Sequence, residues 1–209
     1  MKKHRFLIFA VITLAGMLAI SGFSNDAFGQ SGTLNGHEYV DLGLPSGTKW
    51  ATCNVGATSP KEYGDYFAWG ETKPKNTYTE PTYMYFSDPA TLPSSADAAT
   101  ANWGAGWRMP TEVEWEELKS ECKWTWMSNG YKVVGPNGNG FFLPAAGYRY
   151  GSDLNNAGSN GNYWSSSLNA GNPYYAWHLY FGSGNYGMGN FSRRGTGQSV
   201  RPVCVSSQK

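Results

Sequence analysis

PTEVEWEELKSEC, residues 110–122, carries the one convincing helical pattern in the chain. Thr111 is a good N-cap, and Glu114 three residues later completes a capping box. Each of these side chains can satisfy a backbone N–H that the first helical turn leaves without a partner. Glu112, Glu114, Glu116 and Glu117 crowd the positive end of the helix dipole, with Lys119 and Lys123 at the negative end. Trp115, Leu118 and Cys122 fall at i, i+3 and i+7 and predict one buried stripe. Capping and dipole roles account for these glutamates without acid–base chemistry.

Outward from this helix the pattern turns to strands. HEYVDLGLPSGTKWATCNVGA (37–57) predicts two short strands around the turn Pro45-Ser46-Gly47. Residues 56–106 look loop-like, and a stretch that long is expected to be packed by its own aromatics. YKVV (131–134), GPNGNG (135–140) and FFLPA (141–145) predict a hairpin with a Gly/Asn turn. YYAWHLYF (174–181) alternates: Tyr175, Trp177, Leu179 and Phe181 share one parity, and Ala176, His178 and Tyr180 the other. QSVRPVCV (198–205) reads as a final strand, at an edge or carrying a bulge because Pro202 has no N–H for a ladder. The expected class is α+β: small antiparallel sheets, one main helix and long irregular loops.

Composition narrows the function classes. The 209 residues are 40% hydrophobic, 16% aromatic and 15% charged, with 27 Gly and 11 Pro. A charged fraction well under the usual quarter or so excludes a disordered polyelectrolyte and a coiled coil. Lys2, Lys3 and Arg5, the apolar run Phe6–Ile20 and the small residues Ala27 and Gly29 of Ala27-Phe28-Gly29 read as a secretory signal peptide over 1–29. The apolar run is shorter than the roughly 20 residues a membrane span needs. No Cys follows it to carry a lipoprotein anchor. Cleavage removes three of the 16 basic residues and one of the 15 acidic ones, leaving 13 against 14 in the domain 30–209. Near-neutrality gives no electrostatic case for nucleic acid. Export meets an oxidising compartment, so one disulfide among Cys53, Cys122 and Cys204 is expected, with three pairings open.

After Asp153 acids vanish: Leu154 to Lys209 holds no Asp or Glu, while residues 151–198 hold eight Asn and are dense in Gly, Ser and Tyr. Such residues offer adaptable hydrogen bonds and flat contact area, although loop-rich folds use the same turn residues. Enzyme signatures are missing. His37 and His178 have no Cys or carboxylate at ligand spacing, and no nucleophile elbow, phosphate loop or dinucleotide fingerprint occurs. No cofactor or metal is implied.

DLGLPSGTKWATCNVGA (41–57), YGDYFAWGE (63–71), WRMPTEVEWEEL (107–118), GYKVVGPNGNGFFLPAAGYRYG (130–151), GNYWSSS (161–167) and GQSVRPV (197–203), in this order, resemble the Fibrobacter succinogenes major paralogous domain of secreted Bacteroidetes proteins. The resemblance covers about residues 35–205. It implies a C-type-lectin-like fold in the branch that includes formylglycine-generating enzyme. Arg108–Glu116 is similar to that branch's helix motif, Gly161–Ser166 to its Gly-Asn-x-Trp turn, and Ser199–Cys204 to its closing strand. The enzyme's copper-binding cysteine pair has no counterpart at 185–197, so oxygen activation is not expected. The calcium-dependent sugar motifs of animal lectins are missing too. The same fold implies pairing of Cys122 with Cys204, and Cys53 with Cys122 as the next choice. The tail from Arg194 to Val203 is also similar to that of retroelement-diversified proteins, whose variable stretch would correspond to Tyr174–Arg194.

Together these readings predict an exported, non-enzymatic binding module. Its contact residues would be Tyr175, Trp177, His178, Tyr180, Asn185, Tyr186, Met188, Asn190, Phe191 and Arg193. Trp177 equally suits the core, since it shares parity with Leu179 and Phe181. The expected partner is a protein or glycan at the cell surface. The rivals are a carbohydrate-binding module with an aromatic platform and a structural component of a surface appendage.

Overall fold

A computed structural model describes residues 32–205, so the expected leader at 1–29 lies outside the described residues. Strands are numbered here in chain order. One sheet has the spatial order β1 (Gly32–Leu34), β2 (His37–Asp41), β3 (Thr48–Ala51), β15 (Val203–Val205), β5 (Trp107–Arg108). A second runs β13 (Asn185–Arg193), β12 (Tyr175–Gly182), β11 (Gly161–Leu168), β14 (Gln198–Ser199), β4 (Tyr66–Phe67). A three-stranded sheet joins β6 (Lys123–Met127), β7 (Gly130–Val134) and β8 (Gly140–Pro144), and β9 (Tyr148–Tyr150) pairs with β10 (Asp153–Asn155). The helices are α1 (Ala98–Trp103) and α2 (Glu112–Glu121).

The fold is mostly β, which corrects the α+β, C-type-lectin-like expectation. Among the described residues fifteen strands stand against two α-helices of six and ten residues. The miss came from short segments that pair instead of looping. KWTWM, for example, alternates exposed and half-buried residues along β6, as suits aromatic and β-branched side chains on a half-covered sheet. GNYWSS (161–166), which the resemblance implied to be a turn, is most of the eight-residue strand β11 in the middle of the second sheet.

Helix α2 forms as its sequence requires. Thr111 Oγ1 accepts from Glu114 N–H at 3.2 Å, Thr111 N–H donates to the Glu114 carboxylate at 2.8 Å, and Trp115 and Leu118 are fully buried. Arg108 grips the same carboxylate through two hydrogen bonds of 2.7 and 2.5 Å. Burial pushes the Glu114 pKa up, but the bonds from Arg108 and Thr111 outweigh it and leave the carboxyl below its usual range.

Side-chain alternation splits neighbouring residues between two buried clusters. Trp50, Tyr163 and Val203 enter the first, with Trp115, Leu118, Leu179 and Phe181; Ala51, Trp164 and Cys204 enter the second, with Phe67, Trp69, Trp103 and Trp107. Gly161 makes room for this, because any side chain there would meet the opposing Phe181 ring at about 2.0 Å. The alternation also separates the thiols. Cys122 belongs to the first cluster, and Cys204 and Cys53 pack in or against the second. All three cysteines are free, so the expected disulfide is not formed, and neither favoured pairing can cross the sheets.

The closing segment is not one edge strand. Val200, Arg201 and Pro202 carry the chain from β14, between β11 and β4, to β15, between β3 and β5. The missing N–H of Pro202 falls in this crossing, where no ladder bond is required. Arg201 is fully buried there: Nε donates to Asn54 Oδ1 at 2.9 Å, Nη1 to Ala51 O at 2.9 Å and Nη2 to Phe142 O at 3.1 Å. Its guanidinium also lies over the Phe141 ring at 5.2 Å.

Candidate functional site

All ten sequence-predicted contact residues lie on the hairpin β12–β13, whose second strand is an edge of its sheet. Leu179 and Phe181 point into the first cluster and Ala176 into the second, so this strand has large neighbours on both faces, as its alternation implies. Regular pairing breaks once. Ala176 faces Ser192 and His178 faces Gly189, so Asn190 and Phe191 together oppose Trp177 alone. This bulge divides the hairpin into two ends.

At the turn end, His178, Tyr180, Asn185, Tyr186 and Met188 line an open depression of ≈ 320 Å³ whose floor includes Gly187 and Gly189. Most of these side chains are already committed. The His178 ring sits edge-on to Trp164 at 6.3 Å, and a side chain at Gly189 would meet it at about 2.6 Å. Burial pulls the His178 pKa down to about 4, and Nδ1 is buried without a hydrogen-bond partner. Tyr186 stacks on Trp124 at 4.6 Å and meets Tyr131 edge-on at 5.4 Å. Met188 packs against the first cluster. Tyr180 remains exposed, its hydroxyl accepting from Asn160 Nδ2 at 2.7 Å.

The open end differs. Phe191 is 72% exposed and touches Tyr175 edge-on at 5.8 Å; Tyr175 in turn meets Tyr174 at 5.0 Å. Arg193 lies over the Tyr174 ring at 5.6 Å and pairs with Glu80 at 3.3 Å. Trp177 is half-buried between the two ends, and the side chain of Asn190 lies outside the described part of the structure.

The sequence reading missed a groove beside this open end. Glu80, Tyr83, Phe86, Tyr174, Arg193 and Arg194 line a recess of ≈ 170 Å³. The buried Tyr83 ring meets Phe86 edge-on at 5.9 Å, and Phe86 is 72% exposed. Arg194 lies 5.5 Å from the Trp69 and Tyr83 ring centres and is held by Asp88 and the Ser87 carbonyl, both at 2.9 Å. Burial raises the pKa of the Tyr83 hydroxyl, which donates to Trp69 O at 2.9 Å. The available signal was TYMYF (82–86), an aromatic run inside a segment read as self-packing.

Elsewhere, His37 stacks flat on Trp103 at 3.8 Å, beside a recess that also includes Cys53. Among the described residues no three of His, Cys, Asp and Glu come together as metal ligands. No helix among them is long and apolar enough to cross a membrane. No protein-family profile, curated protein or solved structure matches the chain.

Proposed function

We propose that this protein is an exported, non-enzymatic ligand-binding module that uses the β12–β13 hairpin and the adjoining segment 80–86 as its contact face. One observation carries the reading. Three of the ten large apolar side chains exposed among the described residues, Phe86, Tyr174 and Phe191, gather at the open end of the hairpin, and Tyr180 and Tyr186 stand at its other end. Scattered exposed apolar residues need no explanation, but a concentration rimmed by polar groups marks an interaction site. Arg193 and Glu80 provide that rim, and the acid-free composition after Asp153 extends it. The reading names no cofactor, and near-neutral charge argues against nucleic acid. The ligand is a protein or glycan met outside the cytoplasm.

The test uses labelled protein on a glycan array and on an array of cell-surface ectodomains. Saturable binding to either, lost in Phe86→Ser/Tyr174→Ser/Phe191→Ser while Tm stays near wild type, supports the reading. Absence of saturable binding on both arrays, or binding unchanged in the triple variant, removes it. A second reading, a structural subunit of a surface assembly, is favoured by one feature: β13 is a nine-residue edge strand with Arg193 as its sole charge. Such edges are prone to strand addition. Reversible self-association in sedimentation, blocked by Gly187→Pro, would favour it.

A further inference from the structure

We infer that the groove between Phe86 and Tyr174 binds one ring of a neutral glycan. The inference rests on the binding-module reading and names the ligand class of its open end. The walls are Phe86, 72% exposed, and Tyr174, 41% exposed, with Tyr83 buried behind them. Rings of this kind carry an electron-rich face that attracts the polarised C–H groups of a pyranose while shielding them from water. The recess is short and local, ≈ 170 Å³, which suits a single ring better than an extended peptide.

Charge balance at the rim selects the ligand further. Glu80 and Arg193 pair at 3.3 Å with side chains 59% and 52% exposed, so the carboxylate and the guanidinium are both within reach of a ligand and neutralise one another. An anionic ligand would meet Glu80 and a cationic one would meet Arg193. A hydroxyl both donates and accepts, so neighbouring sugar hydroxyls can give a hydrogen bond to Glu80 and take one from the planar fork of Arg193. Exposed ion pairs contribute little to stability, so opening this one costs the fold little. Arg194 does not compete for the sugar, because Asp88, Ser87 and the Trp69 and Tyr83 rings already hold it.

The test is native affinity electrophoresis of residues 30–209 in gels containing xylan, mixed-linkage β-glucan, galactomannan or pullulan. At least one polysaccharide should retard the protein, and Phe86→Ala and Tyr174→Ala should each weaken retardation by about fivefold or more, as for anchor residues of an interface. Glu80→Gln should weaken it less, and Val113→Ser, 70% exposed on α2, should leave it unchanged. A thermal melt of each variant checks folding, and the exposure of Phe86 makes it the safer of the two main variants. Absence of retardation in all four gels overturns the inference, as does retardation indifferent to both Phe86→Ala and Tyr174→Ala. If the same protein then binds a surface ectodomain through this face, the sugar assignment falls while the binding-module reading stands.

Discussion

Phe181 and Phe191 are the same residue type on the same hairpin, ten positions apart, and they live in different worlds. Phe181 is fully buried and packs against Tyr131, Tyr163 and the space left by Gly161, whereas Phe191 is 72% exposed beyond the bulge. The ends they belong to share one composition of Tyr, Asn, Gly and Ser. At the turn end the Tyr186 and His178 rings are spent on Trp124, Tyr131 and Trp164; at the open end Phe191 faces water. Composition therefore cannot separate display from packing here. Strand register can, because it decides which face each side chain meets.

The sharpest way to break this contrast is to truncate both phenylalanines. Phe181→Ala should cost about 3–5 kcal/mol, as for a large aromatic removed from a packed core. Phe191→Ala should stay within about 0.5 kcal/mol, as for an exposed position without capping or core duties. Urea titration of the two variants reads both values. Similar losses in the two would erase the distinction between the ends.

The next effect is smaller and depends on pH. His178 has its folded pKa lowered to about 4 by burial, against about 6.5 when free. The unfolded chain therefore takes up a proton first, and the native state loses stability as pH falls from about 6.5 to about 4. The slope approaches 1.4 kcal/mol per pH unit at most, and it levels off below the folded value. Comparison with His178→Gln, whose side chain does not titrate, isolates this contribution from that of the carboxylates. A wild-type profile parallel to that of the variant would show that His178 is exposed and free, as the turn end would need for display.

The smallest effect expected is at the rim. Glu80→Gln should change stability by less than about 1 kcal/mol and lose even that in high salt, since the pair with Arg193 is exposed. A larger, salt-resistant loss would make the open end part of the scaffold and remove the contrast.

Local signals proved readable and distant ones did not. The capping box of α2, the β7–β8 hairpin and the alternation of β12 each depend on residues within a few positions of one another, and each appears where its pattern lies. Of the hairpin only β12 was legible; its partner β13 lies where the Gly- and Asn-rich stretch gave a loop reading, and the bulge opposite Trp177 arises only from their pairing. The groove was invisible for a plainer reason. Arg193 meets Glu80 across 113 positions of sequence, and no spacing rule reaches that far. The thiols show the same limit: their spacing leaves three pairings open, while the sheets between the clusters keep Cys122 from both other cysteines. The single closing strand was misread although its own Pro202 marked the break, since the pattern could not show that β14 and β15 join different sheets.

That arrangement has a consequence for the order in which the protein can be built. β14 and β15 follow every other strand in sequence, yet each sits in the interior of a five-stranded sheet. The three oxygens that Arg201 ties together come from residues 51, 54 and 142, as many as 150 positions earlier. Chains emerge from the ribosome N-terminus first, and contacts of such sequence separation are slow to close. Until residues 198–205 arrive, β4 and β5 have no strand to pair with, although β1–β3 and β11–β13 can already pair among themselves. Each five-stranded sheet is therefore joined into one piece only when the last strands appear, so the finished fold is open only to a chain released at full length.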